Sequence, residues 1–265
     1  MNKYVQFDDL QDFWDFSFRE SSSRNKSSRN ADSDWYGDVS WTEAKVLANS
    51  GWIEGMNEVK KMSVELSEII CSKIEKWIPE YTYAGNIIDI GMFLSNSPEY
   101  FIIKNPTEQE LSGKIVKLVC SISFLWQITP QIIIQRGAMI CALVDALEIS
   151  GYSCEIIINQ TATSYGGKFE VDVCVKKAHQ SLNITEVAFC LAHPAMLRRF
   201  MFSVAELEGW ADYATAYGCP ATATEKGDVY IDEIFSLVVP NSEAIEWVIT
   251  QLKKQGIQIS DNIIN

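Results

Sequence analysis

The spacing of apolar and polar positions changes period several times along the chain, and each change marks a predicted element. From residue 114 onward, strands alternate with helices. Residues 114–121 read as an apolar strand. Thr129 and Pro130 then supply an N-cap and a first-turn proline to a helix running to about residue 149, with Gly151 just past its end. Apolar residues occupy most of that helix's circumference, which predicts burial on all sides. Residues 152–158 and 169–175 read as strands, the second alternating Phe169, Val171, Val173 and Val175 with Glu170, Asp172 and Cys174. Asn183 with Glu186 opens another helix, bent or stopped near Pro194. A strand at 229–235 and an amphipathic helix at 242–255 follow; the helix ends in Lys253 and Lys254, which suits its dipole. Such alternation predicts an α/β fold: a mixed sheet with helices on both faces, in one domain spanning 1–265.

The first hundred residues are patterned differently. Residues 1–18 concentrate Phe7, Phe13, Trp14, Phe16 and Phe18 among four aspartates, which predicts an aromatic arm packed onto the body or, alternatively, a partner-docking segment. Residues 19–34 hold almost nothing to bury and read as a loop, either a solvated linker or a flexible basic flap over a polyanion. Ser40 and Glu43 form a capping-box pair that opens a short helix ended by Gly51. Val59, Met62, Leu66, Ile69, Ile70 and Trp77 have helical spacing up to Pro79, and 86–94 and 100–103 read as strands.

Charge narrows the function classes. Lys and Arg number 22 against 35 acidic residues, a formal net charge of −13. A generically basic nucleic-acid coat is excluded, so any phosphate contact must come from a local patch. Attraction to anionic lipid is disfavoured too. The longest apolar stretch, 132–149, is interrupted by Arg136, Asp145 and Glu148, and no signal-like core opens the chain; no membrane role is expected. Seven cysteines without a C-x-x-C pair read as reduced core thiols of a cytoplasmic protein.

Motifs for catalysis are missing. His179 and His193 have no metal-ligand spacing around them, and no P-loop, dinucleotide or G-x-S-x-G pattern occurs. Tyr165-Gly-Gly-Lys168 lies between two strands, which makes it a hairpin turn rather than a phosphate loop. Asp89, Asp145, Glu148 and Asp172 leave a hydrolase open as a third reading, because spacing does not fix carboxylate geometry.

Two resemblances add to this. Residues 114–160 resemble the opening β-α-β of a von Willebrand factor A domain. That family binds a divalent metal through an Asp-x-Ser-x-Ser loop after its first strand. Ser121 and Ser123 keep the serine spacing, but no Asp or Glu occurs between Glu110 and Asp145, so no metal site is expected. Trp35-Tyr-Gly-Asp-Val-Ser-Trp-Thr-Glu-Ala, Gly51-Trp-Ile-Glu-Gly55, Arg136-Gly-Ala and Leu143-Val-Asp-Ala-Leu-Glu resemble the single-stranded-DNA-binding RNA polymerase cofactors of enquatrovirus-like phages (Schitoviridae). That resemblance implies a non-enzymatic protein without cofactor. It implies single-stranded DNA and the phage RNA polymerase as partners, in the cytoplasm of the infected bacterium. The alternative is a degenerate von Willebrand A-like protein–protein interaction module.

Single-strand binding without sequence preference needs cations beside aromatic stacking surfaces. Arg19, Arg24, Lys26 and Arg29, followed by Trp35, Tyr36 and Trp41, supply that combination and form the expected DNA-binding set, although the same aromatics equally suit a core beneath the first helices. Lys114, Lys117, Lys176, Lys177, Arg198 and Arg199 are the next cations to consider.

Overall fold

A computed structural model describes residues 1–31, 34–53, 57, 59, 61, 64, 80–83, 87–88, 90–95, 97–103, 115–149, 151–180, 182–214, 216–232 and 239–255. The α/β class holds, with a mixed sheet at the centre. Strand β1 (Asn2–Phe7) leads into helix α1 (Leu10–Ser17), whose N-cap Asp9 accepts the Asp12 amide. Helix α2 (Trp41–Ser50) starts at the expected capping box, with Ser40 and Glu43 each satisfying the other's backbone N–H. A small antiparallel sheet follows, made of β2 (Glu80–Thr82), β3 (Ile87–Ile88) and β4 (Phe101–Ile103) in the order β2-β4-β3. The strand expected over 86–94 is thus short: Ile90–Leu94 is helix α3. Most of the helix expected over 57–77 lies outside the described residues.

The main sheet is built around β5 (Ile115–Ser121), helix α4 (Pro130–Ile149), β6 (Ser153–Ser164) and β7 (Gly167–Lys176). β5 and β6 pair in parallel across α4, the β-α-β arrangement the pattern predicted. Tyr165 and Gly166, at φ 47° and 74°, close the β6–β7 hairpin, confirming the turn reading of Tyr165-Gly-Gly-Lys168. Helix α5 (Ile184–Ala192) stops before Pro194, and a π-helical turn, Met196–Met201, leads into α6 (Phe202–Leu207) and α7 (Trp210–Tyr213). Strands β8 (Cys219–Pro220) and β9 (Val229–Ile231) and helix α8 (Asn241–Lys254) complete the described elements. The strand order is β1-β7-β6-β5-β9, with β8 on β6. β1 runs parallel to β7, pairing Asn2 with Lys168. The N-terminal arm is therefore a sheet strand followed by a helix, and its Phe7, Phe13 and Trp14 are core residues.

Side-chain alternation sorts the two faces. Phe7, Leu118, Cys120, Ile156, Ile158, Phe169, Val171, Val173 and Ile231 share one core with Trp14, Leu143, Phe189, Phe200, Trp210 and Val248 from the helices. On the opposite face Val119, Ile157, Cys174 and Tyr230 meet Ala223, with no helix in that cluster. Asn159, Thr161, Glu170 and Asp172 share that second face and are buried there, so their polar groups need partners. Asn159 donates to Asp172, Tyr4 donates to Asp172 at 3.0 Å, and the Thr224 amide donates to Glu170 at 2.6 Å.

Helix α4 is enclosed as predicted. Its 130–148 portion is long and apolar enough to cross a membrane by length and composition, but 78% of that window is buried inside the protein. Gly137 permits the contact with α5, since a Cβ there would lie 2.4 Å from the Ala192 Cβ. Cys120, Cys141, Cys154 and Cys190 are buried thiols, as expected, and burial pushes the first three up to about 12; Cys219 is exposed.

Candidate nucleic-acid interface

The described residues between Arg19 and Ser40 form a docked strap. It buries Ser21, Ser23 and Ser28 despite its polar sequence, which corrects the reading of 19–34 as a loop with almost nothing to bury. Buried polar groups must be paired, and the body supplies the partners. Asp212 accepts from Ser23 Oγ and from the amides of Arg24 and Asn25; these bonds hold its carboxyl below the ordinary aspartate range. Glu206, itself buried, accepts from the Ser28 amide and hydroxyl and from Tyr217 Oη.

Two arginines of the π-helical turn clamp the strap. Arg199 is fully buried and donates to the carbonyls of Ser28, Asn30 and Val39, at 2.6 to 3.2 Å. Arg198 donates to the carbonyls of Trp35 and Ile128. Their guanidiniums lie over Tyr36 at 4.0 Å and Trp35 at 4.5 Å. Burial pushes Arg198 down to about 10, so it stays charged at neutral pH.

This arrangement divides the expected DNA-binding set. Tyr36 is only 5% exposed, and its hydroxyl donates to the Ser27 carbonyl; it is a packing residue and offers no free face to a base. Trp35 is half-buried between Arg198, Tyr36 and Phe202, and its indole N–H donates to the Trp126 carbonyl. Arg19, Arg24 and Lys26 are exposed. Arg29 is half-buried: it pairs with Glu20 at 2.5 Å, donates to the Arg19 carbonyl and lies 4.3 Å above the Trp41 ring.

The structure thus brings together a cation–aromatic seam. Arg29 covers Trp41, Trp41 meets Phe18 edge-on, Lys45 lies over Phe18, and Arg19 lies over Phe16. Sequence reasoning missed Lys45. Its ring partner is Phe18, 27 residues earlier in the chain, so no local spacing signalled the contact. Of the reserve cations, Arg198, Arg199 and Lys176 are buried and unavailable to phosphate. Lys176 is held by Glu148 at 2.6 Å and by the Cys154 carbonyl. Lys117 pairs with Glu155, Lys177 is half-buried, and Lys114 lies outside the described residues.

The serine loop after β5 has a different occupant from the one a metal-binding loop would have. Arg136, buried in α4, donates to the carbonyls of Ser121 and Ile231 at the carboxyl ends of β5 and β9. Ser123 Oγ accepts the Thr161 amide. A guanidinium there repels a cation that would already lack carboxylate ligands.

Residues 2–259 match the family described as a domain of unknown function, DUF7192. The chain belongs to that family. No curated protein and no solved structure matches it. In this DUF7192 chain, beyond β5 the polypeptide projects Leu125 and Trp126, 54% and 72% exposed, beside the Trp35 edge of the strap.

Proposed function

We propose that this DUF7192 protein is a non-enzymatic binder of single-stranded DNA, acting with a phage RNA polymerase in the infected bacterial cytoplasm. The observation that carries the DNA part is the seam: Arg29 on Trp41, with Arg19 and Lys45 on Phe16 and Phe18. Arg19, exposed over Phe16, keeps N–H groups that can reach phosphate beside a ring on which an unpaired base can stack, while Arg29, held by Glu20 and the Arg19 carbonyl, keeps its charge over Trp41. Arg24 and Lys26 extend the positive charge along the strap. The net charge of −13 confines attraction to this patch and disfavours duplex lying across the rest of the surface. The polymerase part rests on the sequence resemblance.

The test is fluorescence anisotropy with a labelled single strand and the corresponding duplex, across a salt series. Single strand should bind preferentially. Replacing Arg19, Arg24 and Lys26 with Ala should weaken binding and flatten the salt slope by about 0.7 for each phosphate that is no longer neutralised, up to roughly 2 in all. Arg29 is left intact because it also holds the strap, so circular dichroism should be unchanged. Absence of single-strand preference, or a triple variant with wild-type affinity and slope, refutes the reading.

Leu125 and Trp126 favour a second reading, the protein–protein interaction module, since exposed aromatics of this kind suit a protein partner. Under it, Trp126→Ser abolishes partner binding and the strap cations are dispensable.

A further inference from the structure

A recess of about 270 Å³ opens at the amino end of α4, between Asp34, Gly37 and Asp38 of the strap and Trp52, Thr129, Gln131, Ile134, His193 and Pro194. Its deepest polar group is His193, 3% exposed. The ring is fixed by stacking on Phe189, by an edge-on contact with Trp52, and by the Ala195 amide donating to Nδ1 at 3.0 Å. A nitrogen that accepts carries no proton, so the proton sits on Nε2. That N–H takes no acceptor from the described residues. It faces Gly37, where a Cβ would lie 2.9 Å from His193 Cε1 and 3.3 Å from Nε2; Gly37 also has φ 81°, so a side chain is excluded twice over.

In the first turn of α4, Pro130 has no N–H and the Ile133 amide donates to the Thr129 carbonyl, which leaves the Gln131 and Ile132 amides as donors near the same mouth. Asp34 and Asp38 add acceptors at the rim. A small anion would face two carboxylates, and a cation would face the helix amino end with Arg198 and Arg199 behind it. The recess therefore suits a neutral group with donors and acceptors along one edge and an apolar face for Trp52, Ile134 and Pro194. Its volume is just under the roughly 300–1,000 Å³ of pockets for drug-sized ligands, so it takes one ring system rather than two.

We infer that this recess receives one unpaired nucleobase, either as a free nucleoside or presented by a single strand. The base carbonyl or ring nitrogen accepts from His193 Nε2–H, and Asp34 or Asp38 accepts from an exocyclic amine or imino N–H. The inference deepens and rests on the strand-binding reading, because Asp34 and Asp38 follow the cations Arg24, Lys26 and Arg29 closely in the sequence.

The chain has only two histidines, so long-range proton–nitrogen NMR resolves the His193 side chain from that of exposed His179. Wild-type protein is titrated with nucleosides, with a single-stranded oligonucleotide, with the same oligonucleotide made abasic, and with deoxyribose 5-phosphate. Saturable movement of His193 Nε2 with nucleoside or intact oligonucleotide, without movement of His179, is expected; the abasic strand and the sugar phosphate should leave it still. Asp34→Ala combined with Asp38→Asn should weaken the nucleoside response about tenfold. His193 unmoved by nucleoside and intact strand alike, or moved equally by the sugar phosphate, overturns the inference. The two readings separate cleanly. If the oligonucleotide binds by anisotropy while His193 stays still, the recess assignment fails and strand binding stands. If nucleosides move His193 while no oligonucleotide binds, the strand reading fails and the recess takes free nucleobases.

Discussion

Acid should destabilise this protein through His193 in a measurable window. Burial, with Arg199 nearby, pushes the imidazole down to about 3 from an ordinary value of 6.5. The native ring is therefore neutral, while the unfolded chain takes up a proton below pH 6.5. Stability is fully present above 6.5 and falls with pH until about 3, where the native ring also protonates. Each pH unit inside that window is worth up to about 1.4 kcal/mol. Between pH 8 and pH 5 the cumulative loss is about 2 kcal/mol, a large share of the 5–15 kcal/mol that holds a typical domain. The perturbation is His193→Phe, which keeps an aromatic ring against Phe189 and Trp52 but cannot protonate. It costs stability at every pH, since the Ala195 amide loses its acceptor. Urea unfolding of both proteins across pH 8 to 5 should show the gap between them shrinking by about 2 kcal/mol toward acid. Asp34 and Asp38 at the recess, and carboxyls held low by hydrogen bonds such as Glu43 and Asp212, remain in both proteins and largely cancel in the difference. A pH-independent gap, or an NMR titration of His193 near 6.5, refutes the argument. The NMR titration decides the matter even if the variant does not fold.

Arg199→Met should cost about 3 kcal/mol or more in chemical denaturation, because it strands buried carbonyls of the strap; Arg199→Lys should recover little, since an ammonium cannot reproduce the fork reaching Ser28 and Val39. Gly137→Ala forces a Cβ against Ala192, where α4 and α5 meet, and should lower stability by about 1–3 kcal/mol, read as a fall in melting temperature. Magnesium or calcium should leave the melting temperature unchanged, because Arg136 takes the strand-end carbonyls of Ser121 and Ile231; a specific site would add about 2.7 kcal/mol at a hundredfold excess over its dissociation constant, and a saturable upward shift would refute this.

What the sequence determined by itself were the elements whose cause lies within a few residues. The Ser40–Glu43 capping box, the Tyr165–Gly166 turn, and the proline-started, apolar-sided α4 all depend on backbone conformation and on neighbours one helical turn apart. The proximity of Arg29 to Trp41 was foreshadowed in the same way, by a basic stretch running into an aromatic one. Tertiary structure alone decided the rest. β1 pairs with a strand more than 160 residues away, and no local signal in Asn2–Phe7 names that partner. The polar strap around Ser21–Ser28 reads as solvated because its burial depends on Glu206, Asp212 and two arginines far along the chain. Arg198 and Arg199 themselves looked like surface cations available for phosphate. Their partners are backbone carbonyls of residues 28, 30, 35, 39 and 128. Every residue type carries a carbonyl, so such a partner leaves no mark in the sequence, and only the assembled fold shows which charges have been taken out of water.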